Sequence, residues 1–227
     1  MEEFFKPIYG LELDPYLAKE DLQGIHHLAR YHWVKNVLKE IKPKKILDIA
    51  CGAGYGTYMI AKQFPDSSIV GIDYDQYAIE VSQSSYILPN LIFQRGDMVS
   101  WTRLISEQEV NIGKQNAVIS FDTIEHINHR EIALLRIVEN LEEDGIFILS
   151  TPISFPVTKL KPNWEAHKVE YGSSDLLNLL KHFFHKVLIP EDGTLPYIEF
   201  WKEIINHDKN RYLNITNPIF CQYPKKT

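Results

Sequence analysis

Short runs of apolar residues recur along the chain. Several of these runs are followed by a stretch in which apolar residues have the spacing of a helix. These runs are nearly continuous, as in strands that are buried on both faces of a sheet. The pattern predicts helices at residues 76–83 and 131–140 among the connections. It predicts strands at residues 45–49, 68–73, 91–94, 117–121 and 145–150.

This alternation predicts an α/β fold with a Rossmann-like, doubly wound and mostly parallel sheet. Runs at 184–189 and 215–222 add an antiparallel edge. Helical spacing over residues 17–41 predicts a helical N-terminal cap. We expect one domain over residues 1–227, with residues 1–40 as cap or lid and the proline-containing segment 152–182 as a substrate-side insertion.

The composition narrows the class of partner. The 227 residues include 24 basic and 30 acidic ones, a net charge of -6, so nucleic acid is not expected as a partner. Two cysteines, an acidic N-terminus and the lack of a long apolar run indicate a cytoplasmic protein without membrane insertion. The sequence does not indicate the oligomeric state.

Three glycines follow the first predicted strand in ILDIACGAGYGT, residues 46–57. Gly52, Gly54 and Gly56 let backbone N–H groups and a helix N-terminus approach an anionic or polar ligand. A nicotinamide dinucleotide fits less well, because its fingerprint calls for glycine where Thr57 stands.

Acids end the next two predicted strands. Asp73 lies where a carboxylate can accept hydrogen bonds from both hydroxyls of a ribose. Asp97 follows the third strand, where its carboxylate can bind an adenine amino group while Met98 packs on the ring. The loop and the two acids together predict a nucleoside pocket.

The stretches LDIACGAG, GIDYD and RGDM resemble the first three motifs of class I S-adenosylmethionine-dependent methyltransferases, and the likeness covers residues 30–150. By that resemblance Ala50, Gly52 and Gly54 hold the methionine part, Asp73 the ribose and Asp97 the adenine. Ala50 stands where the family usually has glycine. The resemblance implies further donor-binding residues at Asp48, Tyr74, Met98 and Phe121.

The stretch GIHHLARYHW, residues 24–33, resembles an H-x-x-R-Y segment of methyltransferases in saccharide and natural-product pathways. That likeness implies that Arg30 and Tyr31 touch the methionine end of the donor and that His27 is a catalytic residue beside the substrate. The alternative is an amphipathic helix whose polar face is merely solvated.

The stretch SFDTIEHI, residues 120–127, follows the fourth predicted strand. If a helix begins near Asp122, its carboxylate shares a face with Glu125 and His126. Two carboxylates and an imidazole suit Mg²⁺ or Mn²⁺, and His167 could supply a further ligand. The alternative is that Asp122 caps the helix, Glu125 is solvated and His126 hydrogen-bonds a neighbouring backbone group. Without metal, His126 could still act as a general base.

This D-x-x-E-H arrangement resembles metal sites of ubiquinone-pathway O-methyltransferases and small-RNA 2′-O-methyltransferases, with Asp122 in place of glutamate. The sequence thus predicts methyl transfer from S-adenosylmethionine, giving S-adenosylhomocysteine, to a small hydroxylated acceptor such as a sugar, polyol or phenolic compound. Its predicted catalytic residues are His126, Glu125 and His27. Alternatives are an N-methyltransferase, an RNA-end methyltransferase and an inactive donor-binding regulatory protein.

Overall fold

The computed structural model describes residues 4–154, 157–190, 194 and 218–226. The chain divides into two compact units, residues 1–118 and 119–227, and one strand crosses the boundary between them. None of the helices in these described residues has the length and apolar character needed to cross a bilayer.

The described residues form six α-helices, nine strands and one 3-10 helix at Ile124–His126. The helices are α1 Asp14–Ala18, α2 Leu22–Ile41, α3 Tyr55–Gln63, α4 Gln76–Ser85, α5 Arg130–Asn140 and α6 Ser173–Phe183. The strands are β1 Lys45–Ile49, β2 Ser68–Asp73, β3 Leu91–Asp97, β4 Thr102–Ile105, β5 Gln108–Asn111, β6 Gln115–Phe121, β7 Leu141–Ser150, β8 Phe184–Leu188 and β9 Ile219–Pro224.

Within the first unit the strands follow the order β5-β4-β3-β2-β1, and within the second unit β9 lies between β7 and β8. In the first unit β2 pairs in parallel with β1 and with β3, so these strands end at the same edge. Four of the five residues of β1 are buried, as expected for a strand covered on both faces. The predicted α/β fold is confirmed, and a strand is present at each of the five predicted positions.

A hairpin that the sequence analysis missed extends the first unit. Strands β4 and β5 pair antiparallel through a two-residue turn, and β4 pairs with the end of β3. Ser106 and Glu107 form this turn with φ values of 47° and 64°. Such values normally attract glycine or asparagine, so the usual sequence signal of a tight hairpin is missing here.

The second unit contains the predicted antiparallel edge. Strand β9 pairs antiparallel with both β7 and β8. The predicted last strand began at 215, but residues 215–217 lie outside the described part. The missed helix α6 occupies residues 173–183, so part of the segment interpreted as an insertion is regular structure. The insertion role of the remainder, and the single-domain organisation, stay predictions.

The predicted N-terminal helical segment is confirmed as α1 and α2. The Asp21 side chain caps α2 by accepting from the Gly24 N–H, and Lys42 ends it in the left-handed conformation before Pro43. The buried Tyr16 hydroxyl accepts from the Tyr9 N–H at 3.0 Å and donates to the Gly10 carbonyl at 2.9 Å. These bonds tie the preceding segment to the helices, and its function as a lid stays a prediction.

Candidate active site

The glycines after β1 have different structural roles. A Cβ added at Gly54 would lie 2.6 Å from Ser82 Cβ, and one added at Gly56 would lie 2.1 Å from the Tyr31 ring. These two glycines therefore permit internal packing. Gly52 has a φ of +53°, and its nearest side-chain neighbour is Phe4 of the N-terminal segment, 3.1 Å from the position of such a Cβ. Of the three glycines, Gly52 has the least crowded position for an added Cβ.

Asp73 joins the end of β2 to this loop. Its Oδ2 accepts from the Gly52 N–H at 2.7 Å, and its Oδ1 accepts from the Asp75 N–H at 2.9 Å. Burial raises the pKa of the Asp73 carboxyl, against backbone hydrogen bonds that lower it. Each carboxylate oxygen has a second lone pair, so both can also accept from ribose hydroxyls.

Asp48 and Tyr31, both predicted to bind the donor, contact each other inside the protein. The fully buried Asp48 carboxylate accepts from the Thr57 hydroxyl at 2.7 Å and from the Tyr31 hydroxyl at 3.1 Å. Burial raises the pKa of Asp48 to about 6, although the hydrogen bonds from Thr57 and Tyr31 lower it. This network braces α2 and α3 against the end of β1.

Ala50 has a φ of +64°. A side chain in the left-handed region costs about 1–2 kcal/mol relative to glycine, which gives a physical reason for the glycine usual at this position. The loop nevertheless adopts this conformation with alanine.

Strand β3 ends at Asp97, and one oxygen of its carboxylate accepts hydrogen bonds from the turn that follows. Asp97 Oδ1 accepts from the N–H groups of Val99 and Ser100 at 2.6 and 3.0 Å. Oδ2 has no hydrogen-bond partner among the described residues, so it can accept from a ligand. The next residue, Met98, is buried. Tyr74, which follows β2, is exposed.

The other predicted donor-side residues lie on α2. Arg30 is buried, and its Nη2 lies 2.9 Å from Nδ1 of the half-buried His27. Because a guanidinium can only donate, Nδ1 accepts and the neutral His27 ring carries its proton on Nε2. The Phe5 ring stacks on His27 at 4.6 Å. His27 is thus arranged to donate a hydrogen bond, and a role as base would require rearrangement.

In the second unit Glu125, His126 and His167 come together as one cluster. One potential ligand atom from each lies within 4.8 Å of the others. Backbone pairing explains the meeting, because the Glu125 carbonyl accepts from the Lys168 N–H at 2.7 Å and so binds the segment that carries His167. The buried Glu125 carboxylate also accepts from the Thr151 hydroxyl at 2.9 Å.

Both histidine rings of the cluster are oriented by acceptors at Nδ1. His126 Nδ1 lies 3.1 Å from the Ala166 carbonyl oxygen, and His167 Nδ1 lies 2.8 Å from Glu170 Oε1. Because these partners accept, both Nδ1 atoms carry protons, and each neutral ring keeps its lone pair on Nε2. Histidine ligands of metals are typically oriented in this way.

Asp122 was predicted to share a helical face with this cluster. The expected helix is instead the three-residue 3-10 helix, whose N-cap is Thr123, and Asp122 precedes it with a φ of +50°. The Asp122 carboxylate accepts from the Ser150 hydroxyl at 3.1 Å, and Asp122 is not in the group of possible ligands among the described residues. Phe121, at the end of β6, is buried.

Sequence reasoning did not find the side chains that orient the cluster. Glu170 contacts His167, and the Thr151 hydroxyl donates to Glu125. Trp164, 60% exposed, places its ring 4.4 Å from the His167 ring and 5.8 Å from the His126 ring. An exposed indole therefore borders the cluster.

A protein-family model described as "Methyltransferase domain" matches residues 41–215. The chain belongs to this methyltransferase family. It is 26% identical over 159 residues to a malonyl-[acyl-carrier protein] O-methyltransferase of Bacillus cereus, covering 68% of this chain and 56% of the relative. It is 24% identical to a probable S-adenosylmethionine-dependent methyltransferase of Mycolicibacterium smegmatis, covering 77% and 63%. The chain thus spans somewhat over half the length of these two relatives.

Solved methyltransferases have the same fold. The plantazolicin methyltransferase BpumL in complex with SAH superposes with a TM-score of 0.61 and 14% identity, covering 94% of this chain and 89% of that one. An O-methyltransferase from a trans-AT PKS multienzyme of Brevibacillus brevis, in complex with S-adenosyl-L-homocysteine, gives a TM-score of 0.59 at 14% identity, covering 97% and 81%. At this identity the likeness concerns the fold.

Proposed function

We propose that the protein transfers the methyl group of S-adenosylmethionine to an oxygen of a small hydroxylated acceptor, assisted by a divalent cation at Glu125, His126 and His167. The observation that carries the donor assignment is the hydrogen bond between Asp73 and the Gly52 N–H in a chain of the methyltransferase family. It joins the two parts of the sequence that would bind the ribose and the methionine end.

The described residues fit this donor. Gly52 brings backbone without a side chain to the loop, Asp73 would accept from the ribose hydroxyls, and Oδ2 of Asp97 would accept from the adenine amino group. The buried Arg30 guanidinium supplies positive charge for the methionine carboxylate. The bound donor provides an electrophilic methyl group, so the protein has chiefly to orient an acceptor oxygen.

The donor atoms of the cluster fit a divalent cation. The possible ligands are two imidazole nitrogens and one carboxylate. The sequence predicted a second carboxylate, Asp122, which is not in the group. Imidazole suits transition metals better than Mg²⁺, so of the two predicted ions Mn²⁺ is favoured. A cation held there by Glu125, His126 and His167 would supply Lewis-acid chemistry that makes an acceptor hydroxyl more acidic, which suits a diol as acceptor.

Trp164 supports an acceptor with a flat face. Its exposed ring borders both histidines, and sugars and aromatic rings stack on such a surface. Without metal, Nε2 of His126 would serve as general base, because its Nδ1 is held by the Ala166 carbonyl.

A second candidate is O-methylation of a carboxylate. Relatives of the chain are named malonyl-[acyl-carrier protein] O-methyltransferase and trans-aconitate 2-methyltransferase, the latter 40% identical over 55 residues. A carboxylate acceptor is already ionised and needs no base.

The test is turnover of S-adenosylmethionine with Mn²⁺ or a chelator against catechols, sugars, polyols, dicarboxylates, amines and an RNA end, with products identified by mass spectrometry. The proposal predicts Mn²⁺-dependent methylation of diols, lost in His126→Ala and kept in His129→Ala, an exposed histidine on the same segment. Methylation of dicarboxylates alone would favour the second candidate. Donor binding without turnover on any acceptor would indicate a binding protein.

A further inference from the structure

We infer that Glu170 is a positioning residue for the candidate metal centre: its carboxylate fixes the His167 ring so that Nε2 is presented to Glu125 and His126. The inference rests on the proposed function of this cluster. It concerns a residue for which the sequence predicted no role.

Backbone pairing fixes the position of Glu170. The Glu170 N–H donates to the Lys159 carbonyl at 3.0 Å, and the Lys159 N–H donates to the Glu170 carbonyl at 2.8 Å. The neighbouring Val169 is buried, and its N–H points to the Glu125 carbonyl at 3.4 Å. The backbone that carries the Glu170 side chain is therefore hydrogen-bonded to Lys159 on one side and, through Val169, to Glu125 of the cluster.

The side-chain geometry assigns the tautomer of His167. Its ring is 7% exposed, and Nδ1 lies 2.8 Å from Glu170 Oε1. A carboxylate accepts hydrogen bonds at its oxygens, and Lys159 Nζ lies 3.7 Å from the other oxygen, Oε2. Nδ1 then carries the proton, and the lone pair needed for a metal lies on Nε2.

Glu170 differs in charge from the Ala166 carbonyl, which orients His126. His126 Nδ1 faces a neutral carbonyl, whereas His167 Nδ1 faces a carboxylate. The cluster contains a single carboxylate ligand, Glu125, so Glu170 adds a second negative charge beside it without binding the ion. A carboxylate on the remote nitrogen also makes histidine a stronger ligand, and losing such a partner typically costs about 10–100-fold in metal affinity.

The test compares Glu170→Gln with Glu165→Gln, an exposed glutamate in the same segment, so that both variants lose one negative charge. Nitrogen-15 NMR of the histidine rings in the metal-free protein at mildly alkaline pH reports the tautomer, and calorimetry reports Mn²⁺ affinity. Thermal melts verify that both variants fold.

We expect His167 to be protonated on Nδ1 in the wild type and in Glu165→Gln, and to shift toward Nε2–H in Glu170→Gln, because the amide can donate to Nδ1. Mn²⁺ affinity should fall about 10–100-fold in Glu170→Gln and recover partly in Glu170→Asp. An unchanged tautomer would overturn the inference, and so would equal Mn²⁺ affinities of Glu170→Gln and Glu165→Gln where the wild type binds Mn²⁺.

The two measurements also separate this inference from the proposed function. If the wild type binds no Mn²⁺, the metal part of the proposed function fails. The tautomer measurement then still decides the role of Glu170: a shift in Glu170→Gln supports positioning, and retention of Nδ1–H overturns it.

Discussion

Gly56 lies against the ring of Tyr31, and a Cβ at Gly56 would stand 2.1 Å from the Tyr31 Cζ. This close approach lets the Tyr31 hydroxyl reach the buried Asp48 carboxylate. The third glycine of the loop therefore serves the packing of α2 on α3, whereas Gly52, the first, has the least crowded Cβ position of the three.

Gly56→Ala should destabilise the protein by about 1–3 kcal/mol, because the added methyl group overpacks a closed contact. Chemical denaturation measures this change. The double variant with Tyr31→Ala is the control: if the clash is with the Tyr31 ring, the two substitutions are not additive. Additive effects would show that Gly56 matters for another reason.

Asp48 should make the free energy of unfolding depend on pH. Its pKa is about 6 in the folded protein and near 3.9 in an unfolded chain, so between these values the folded state binds more protons. The contribution of Asp48 to the free energy of unfolding is therefore largest below about pH 4. It declines by up to about 3 kcal/mol as the pH rises to about 6. The difference between wild type and Asp48→Asn, measured by denaturation across this range, isolates the effect. A pH-independent difference would contradict the raised pKa.

Much of this fold was predictable, because the parallel strands are buried on both faces and appear as apolar runs. The β4–β5 hairpin was not, because Ser106 and Glu107 adopt left-handed φ values without the usual glycine or asparagine. Helix α6 did have a signal: Leu176, Leu180 and Phe183 recur at helical spacing, but the prolines before them favoured an irregular insertion.

Trp164→Ala should raise the KM for a flat-ringed acceptor about 2- to 10-fold, the equivalent of the 0.5–1.5 kcal/mol typical of a ring contact. Trp164→Phe should keep most of the affinity. Steady-state kinetics with the best acceptor measures both, and Leu160→Ala, which removes another exposed apolar side chain of the segment, is the control. Equal KM values in all three variants would place the acceptor elsewhere.

The site was only partly predictable, for reasons that differ between its two parts. The donor-side residues follow consecutive strands, so topology alone indicates that Gly52 and Asp73 approach each other. The partnership of His167 with Glu125 depends on a backbone hydrogen bond across more than forty positions of sequence, from Lys168 to the Glu125 carbonyl. The unusual φ of Asp122, which replaces the expected helix, has no local sequence signal.

Donor affinity should depend on the ionisation of Asp73. Burial raises the pKa of this carboxyl, and the ionised form is the one that accepts from ribose hydroxyls. Affinity for S-adenosylhomocysteine should therefore be full above the raised pKa and fall as pH decreases through it. Titrations at several pH values on wild type and Asp73→Asn measure this, and the variant should show a weaker and flatter dependence.

The most direct test of the proposed donor pocket is calorimetric titration of S-adenosylhomocysteine into the wild type, Asp73→Ala and Asp66→Ala, the last an exposed acid just before β2. We predict binding to the wild type, unchanged binding to Asp66→Ala, and at least about a tenfold loss in Asp73→Ala, because hydrogen bonds to a charged acceptor contribute about 1.5–3 kcal/mol each. A folded wild type that does not bind, or equal affinity of the wild type and Asp73→Ala, would contradict the donor pocket described above.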